Sequence, residues 1–156
     1  MKHWVWYLAG LLVAANIFGL PFVGTDVAKL QPVQVIAVSD LDGSVAVRTD
    51  TGDSGTGVTI ADALADLMRT TPGYVFLETA QYLLITPAAA PLLEELSLYL
   101  RPGCSVYLLQ DDLELTELAP YLSAHNSNVT LRDCIEAECQ LPRLVKEGGR
   151  VCVASA

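Results

Sequence analysis

The sequence predicts an α/β domain, a mixed sheet flanked by helices, preceded by one N-terminal transmembrane helix. Three observations carry that prediction. The opening run from Trp4 to Gly24 holds no charged side chain. Behind it, short runs rich in Val and Ile are separated by stretches whose apolar residues recur at helical spacing. Strands separated by helical segments of about 10 to 15 residues are the pattern of a layered sheet with some parallel pairing.

The chain of 156 residues divides into an anchor or signal segment, residues 1–25, and an extracytoplasmic α/β domain, residues 26–156. A helix needs about 20 apolar residues to cross a bilayer, and Trp4, Trp6 and Tyr7 sit where an interfacial aromatic belt would be. Lys2 and His3 favour a cytoplasmic N-terminus. The same run also fits a cleaved signal peptide broken at Gly19 and Pro21. No small-x-small triplet is well placed after Pro21, which favours the anchor, and both readings export the remainder. A buried core helix would instead show a polar face.

Within the exported part, Pro32 to Val38 and Ser44 to Thr49 read as two strands joined by the turn residues SDLDG. TGDSGTG, from Thr51 to Gly57, reads as a flexible loop. Ile60, Leu64 and Leu67 recur at helical spacing, with Thr59 as cap and Pro72-Gly73 as stop. Tyr74 to Leu77 and Tyr82 to Ile85 are strand-like, the second the better buried. Pro91 suits the first turn of a helix whose stripe is Leu92, Leu96 and Tyr99. Cys104 to Gln110 is a further strand. Leu115 to Leu122 begins a helix that Pro120 kinks or ends, Thr130 opens another that runs to about Cys139, and Gly148-Gly149 leads into a closing apolar run. The order is ββα(β)βαβαβ.

Charge excludes one class of partner. The net charge is −9, and Lys2 is the only charged residue before Asp26, so the exported part carries about −10. Nucleic-acid binders gain affinity by neutralising phosphates with Lys and Arg, so nucleic acid is not expected as a partner.

Several short motifs invite a chemical reading, and none yields a catalytic, cofactor-binding or metal residue. Gly52 to Gly55 spells GDSG, the surroundings of a serine-protease nucleophile, yet Ser54 has as possible bases only His3, beside the membrane, and His125, in a polar AHNSN loop. The loop also lacks the residues of a phosphate-binding P-loop. Asp40, Asp42 and Gly43 resemble part of a calcium loop without its distal ligands, and a β-turn explains them. Asp111, Asp112, Glu114 and Glu117 form an acidic run that suits a solvated helix start. Cys104, Cys134, Cys139 and Cys152 permit two disulfides outside the cytoplasm. Cys134 and Cys139, five apart on one expected helix, fall on different faces, so buried free thiols are equally open. No ordered Cys/His set suggests zinc.

The stretch from Asp26 resembles the N-terminal domain of the Ger(x)C family, the lipoprotein C-subunit of spore germinant receptors. DVAKLQPVQVIAVSDLDG is similar to the family's opening strand. GVTIADALADLMRTTPGYVFLETAQYLLITPAAAPLLEELSLYLR is similar to its next block, at Ala63-Leu64, Pro72, Phe76, Leu84-Ile85, Tyr99-Leu100 and Arg101, and SVYLLQ to the strand after it. Departures are the missing lipid-attachment Cys, with Gly24-Thr25-Asp26 in its place, the missing larger C-terminal region, and Glu78 to Gln81 where a His is common. The resemblance implies a non-enzymatic, membrane-tethered component of a germinant-receptor-like assembly, with integral membrane receptor subunits as partners and no cofactor. The implied location is the cell membrane, with the domain outside the cytoplasm. Rival readings are another extracytoplasmic binding or structural protein of sporulation, and a secreted metal-dependent hydrolase.

Overall fold

The computed structural model describes residues 30–154 apart from 111, 112, 138 and 149, together with His3 and Trp4. Most of the apolar opening run lies outside the described residues. Among the described residues no helix is long and apolar enough to cross a membrane, which corrects the expectation of a fold headed by a transmembrane helix. The described fold is a mixed α/β structure.

Among the described residues nine strands form, named in chain order β1 Leu30–Pro32, β2 Val35–Leu41, β3 Ser44–Thr49, β4 Ser54–Gly57, β5 Tyr74–Phe76, β6 Tyr82–Ile85, β7 Ser105–Leu109, β8 Arg143–Glu147 and β9 Arg150–Ala154. Four helices accompany them: α1 Ile60–Thr70, α2 Leu93–Leu96, α3 Leu118–Ala124 and α4 Leu131–Glu136. Seven strands make one sheet in the order β4-β3-β2-β6-β7-β8-β9, while β1 and β5 pair separately in parallel. The centre β2-β6-β7-β8 is parallel, and each margin is closed by antiparallel pairing.

Central strands of a parallel sheet are covered on both faces and so read as continuous apolar runs rather than alternating ones. Val35, Ile36, Ala37 and Val38 of β2 and all four residues of β6 are buried accordingly. Alternate residues serve two cores. Ile36, Val38, Leu83, Ile85 and Val106 pack with α1, α2 and α4, which contribute Leu64, Leu67, Leu96 and Leu131. On the other face Val35, Ala37, Leu84, Tyr107 and Leu109 pack with α3 through Leu118 and Leu122. Each fully buried Leu or Ile contributes about 1.5–3 kcal/mol relative to exposure.

The turn between β2 and β3 explains Asp40, Asp42 and Gly43. Asp42 and Gly43 have φ of 53° and 82°, the two positive values of a type I′ hairpin turn, and the Gly43 N–H donates to the Asp40 carboxylate at 3.1 Å. Thr59 caps α1 as expected, accepting from the Asp62 N–H at 3.1 Å. At the other end the Thr71 N–H and hydroxyl both reach the Leu67 carbonyl, at 3.0 and 2.8 Å.

Several elements differ from the sequence-based expectation. The expected loop from Thr51 to Gly57 supplies β4, whose glycines let α1 lie directly on the strand. A Cβ on Gly55 would meet the Ala63 carbonyl oxygen at 2.2 Å, and one on Gly57 the Ala63 nitrogen at 2.5 Å. The expected helix from Pro91 is a 3₁₀ segment, Pro87–Leu92, followed by the single turn α2. Ala89 of the first and Leu96 of the second are buried, as is Leu100 beyond them, whereas Tyr99 of the expected stripe is exposed. The last expected helix ends early, because Ala137 is extended at φ −148° and ψ 155°.

Candidate functional site

Ligands of open α/β sheets bind outside the carboxyl ends of the parallel strands. Here β2, β6 and β7 end side by side, with the Thr86 N–H donating to the Val38 carbonyl at 3.1 Å. On the face that carries α3, a cleft of about 440 Å³ opens at this edge, lined by Ala37, Ser39, Ala46, Arg48, Thr86 and Gln110, with Leu41 and Leu109. Register explains the space. Ala37 stands opposite Arg48 and Ser39 opposite Ala46, so three small side chains form the floor where larger ones would have filled it.

The cleft is mainly apolar with a few polar groups, the usual make-up of a small-ligand or side-chain pocket. Thr86 is the informative one. It stands at the N-terminus of the 3₁₀ segment without a side-chain capping bond, and its hydroxyl is buried with no hydrogen-bond partner among the described residues. Leaving such a group unsatisfied costs about 1–3 kcal/mol, which a ligand oxygen or nitrogen would recover. Gln110 closes the row of strand-terminal residues, and its N–H reaches the Leu144 carbonyl at 3.4 Å.

The residues singled out from sequence are dispersed. Ser54 lies exposed on β4 beside a shallow depression of about 220 Å³ that Asp53 and Thr116 also line. His125 ends α3, stacks on Tyr121 with centroids 4.3 Å apart, and brings Nδ1 within 3.0 Å of the Tyr121 carbonyl. Serine and imidazole thus have separate surroundings and make no catalytic pair. Asp111 and Asp112 lie outside the described residues. Glu114 and Glu117 are exposed and line a groove of about 610 Å³ that Tyr121 and Lys146 share. Among the described residues no group of three His, Cys, Asp or Glu is placed to hold a metal ion.

The polar loop around His125 is tied to the sheet. Tyr107, fully buried on β7, donates its hydroxyl to the His125 carbonyl at 3.1 Å and accepts from the Ser127 N–H at 2.7 Å. Burial pushes its phenol up, against the lowering effect of the Ser127 bond. Ser105 donates to the Asn126 side-chain oxygen at 3.0 Å, between the two residues that Tyr107 holds.

The cysteines correct a further expectation. Cys104 is buried and its thiol is pushed up to about 12 by burial. Cys134 and Cys139 do not occupy two faces of one helix. α4 stops at Glu136, and the chain turns back until the two sulfurs are 2.6 Å apart.

The cleft residues Ser39, Thr86 and Gln110 escaped the sequence reading, although a signal exists. VIAVS, YLLIT and VYLLQ are buried runs that each end on one polar side chain. Equivalent strand ends become a site only when the strands are known to be parallel neighbours. No family model, curated protein or solved structure matches the chain.

Proposed function

We propose that this chain is a non-enzymatic binding component of a germinant-receptor-like assembly, working beside integral membrane subunits on the extracytoplasmic side. The observation that carries the binding reading is the unpartnered Thr86 hydroxyl in an apolar cleft at the carboxyl ends of three parallel strands. A buried donor with no protein partner is a cost unless something else satisfies it. The occupant proposed is a segment of a membrane subunit that inserts one side chain and offers one polar atom to Thr86.

The link to that assembly rests on the resemblance of residues 26–110. Among its positions Pro72 and Tyr99 are exposed and Arg101 donates to the Ala80 carbonyl at 3.4 Å, while Ala63, Leu64, Leu84, Ile85 and Leu100 are buried in the core. Such residues maintain a fold and do not touch a partner. Contact has to come from the surface, and the cleft is a part of it with an unmet hydrogen bond.

The test is site-specific photocrosslinking in the producing cells. Leu41 lines the cleft and is 66% exposed, so a photoreactive side chain there should capture a multi-spanning membrane protein. The same probe at Met68, 45% exposed on α1 across the sheet, should not. Equal capture from both positions, or capture of soluble proteins only, would overturn the reading.

A further inference from the structure

We infer that Cys134 and Cys139 form an intramolecular disulfide that fastens the end of α4 to the strand connection leading to β8, while Cys104 and Cys152 stay reduced. The geometry is the argument. Their sulfurs stand 2.6 Å apart, a little beyond the about 2.05 Å of a disulfide bond and within the closure that small side-chain rotations supply. Local backbone makes this approach. The Thr130 hydroxyl accepts from the Asp133 N–H and the Asp133 carboxylate accepts from the Thr130 N–H at 2.8 Å, so the start of α4 is fixed by a capping box. The Ala137 N–H still reaches the Asp133 carbonyl at 3.0 Å, and the extended Ala137 ends the helix before Cys139, whose sulfur lies beside that of Cys134.

The other two cysteines have different settings. Cys104 is 1% exposed in the core beneath α4, with its carbonyl taken by the Leu131 N–H at 2.8 Å. Cys152 lies on β9, opposite Val145 of β8, at the margin of the sheet. Neither is placed as Cys134 and Cys139 are.

The reaction requires an oxidant, and a disulfide supplies it, whether a low-molecular-weight one or that of a thiol oxidase. The Cys139 thiolate attacks that disulfide, forms a mixed disulfide and releases one thiol. The Cys134 sulfur then attacks the Cys139 sulfur, the internal bond forms, and the second thiol leaves. Two protein thiols lose two protons and two electrons, and the oxidant gains them as two thiols. Burial first, then the contact with Cys139, pushes the Cys134 thiol up to about 12, which makes Cys134 the poorer first attacker. The bond closes a loop of about six residues, short enough that its stabilisation is at the modest end of the range.

The experiment uses the full-length chain, purified under reductant, equilibrated in a glutathione redox buffer, quenched with acid, alkylated in denaturant, and digested unreduced with a protease specific for glutamate. Cleavage after Glu136 and Glu138 separates the two cysteines in sequence, so their fragments should travel as one mass and part on reduction. Two thiols should be alkylated, at Cys104 and Cys152. Oxidised wild type should melt about 5 °C above the reduced form, a shift that the C134S/C139S variant lacks. Fragments that separate without reductant, or a bond from Cys134 to Cys104 or Cys152, would overturn the assignment. The peptide map of the wild type decides the matter even if a serine variant fails to fold.

Discussion

Gly55 lies so close beneath α1 that a Cβ there would stand 2.3 Å from the backbone nitrogen of Leu67. Neither backbone can yield alone, since β4 is held by β3 through pairs such as Val47 with Gly55, and α1 is held by its buried face. Gly55→Ala should therefore lower the free energy of unfolding by about 1–3 kcal/mol, as overpacking does. Gly103, with open space around its Cβ direction, is the control, and Gly103→Ala should stay within about 0.5 kcal/mol of wild type. Urea midpoints compare the two; equal shifts would remove the argument for a glycine-lined helix seat.

Asp66 joins the same two elements electrostatically. Its carboxylate accepts from Arg69 at 2.5 Å and from the Thr56 N–H of β4 at 3.0 Å. The Arg69 bond first, then the Thr56 amide, holds the carboxyl below its ordinary value. A carboxyl depressed in the folded state contributes stability that is present above its unfolded pKa of about 3.9 and lost as pH falls through the folded value. Asp66→Asn should thus be less stable than wild type at neutral pH, with the gap narrowing as pH drops below about 4. A gap that stays constant down to pH about 2 would contradict this. Asp133, held low chiefly by the Thr130 hydroxyl, steepens the same acid limb in both proteins.

Tyr107→Phe removes the hydroxyl that serves the His125 carbonyl and the Ser127 N–H and leaves both without it. The cost should be about 1–3 kcal/mol in urea unfolding. The sign at high pH also follows. Because the phenol is raised in the folded protein, its contribution is intact below the unfolded value of about 10 and declines as pH rises above it, where the unfolded tyrosine ionises first. Wild type should approach the variant in that alkaline window; parallel curves would refute the role of the buried phenol.

Thr86→Val is expected to go the other way. Replacing an unpartnered buried hydroxyl with a methyl group of similar shape should leave stability unchanged or raise it by about 1 kcal/mol. If the cleft is where a membrane subunit docks, the same change should reduce crosslinking from Leu41 several-fold. A loss of stability above about 1 kcal/mol would mean that the hydroxyl already has a partner.

The parts of the fold legible in the sequence were those set by neighbours along the chain. Asp42-Gly43 between two Val-rich runs specifies a type I′ hairpin because both residues tolerate positive φ. Thr59, Ile60, Leu64 and Leu67 specify α1 because cap and stripe lie within three turns. Val35 to Val38 of β2 and the whole of β6 are uniformly apolar because both sheet faces are covered, so burial was readable although partner strands were not. The strand β8 was missed: Leu144 is its one buried residue, and the five-residue run from Arg143 to Glu147 carries three charged residues.

By itself the sequence determined the α/β class of the domain, its hairpin, its principal helix and its acidic charge, all of them consequences of composition or of spacing over a few residues. Tertiary structure alone decided that SGTG is a strand, that Ser39, Thr86 and Gln110 share one cleft, and that Cys139 turns back onto Cys134. Each of these depends on which backbone lies beside which, as with α1 over Gly55 or β6 beside β2, and contact between residues distant in sequence leaves no periodic trace in the chain.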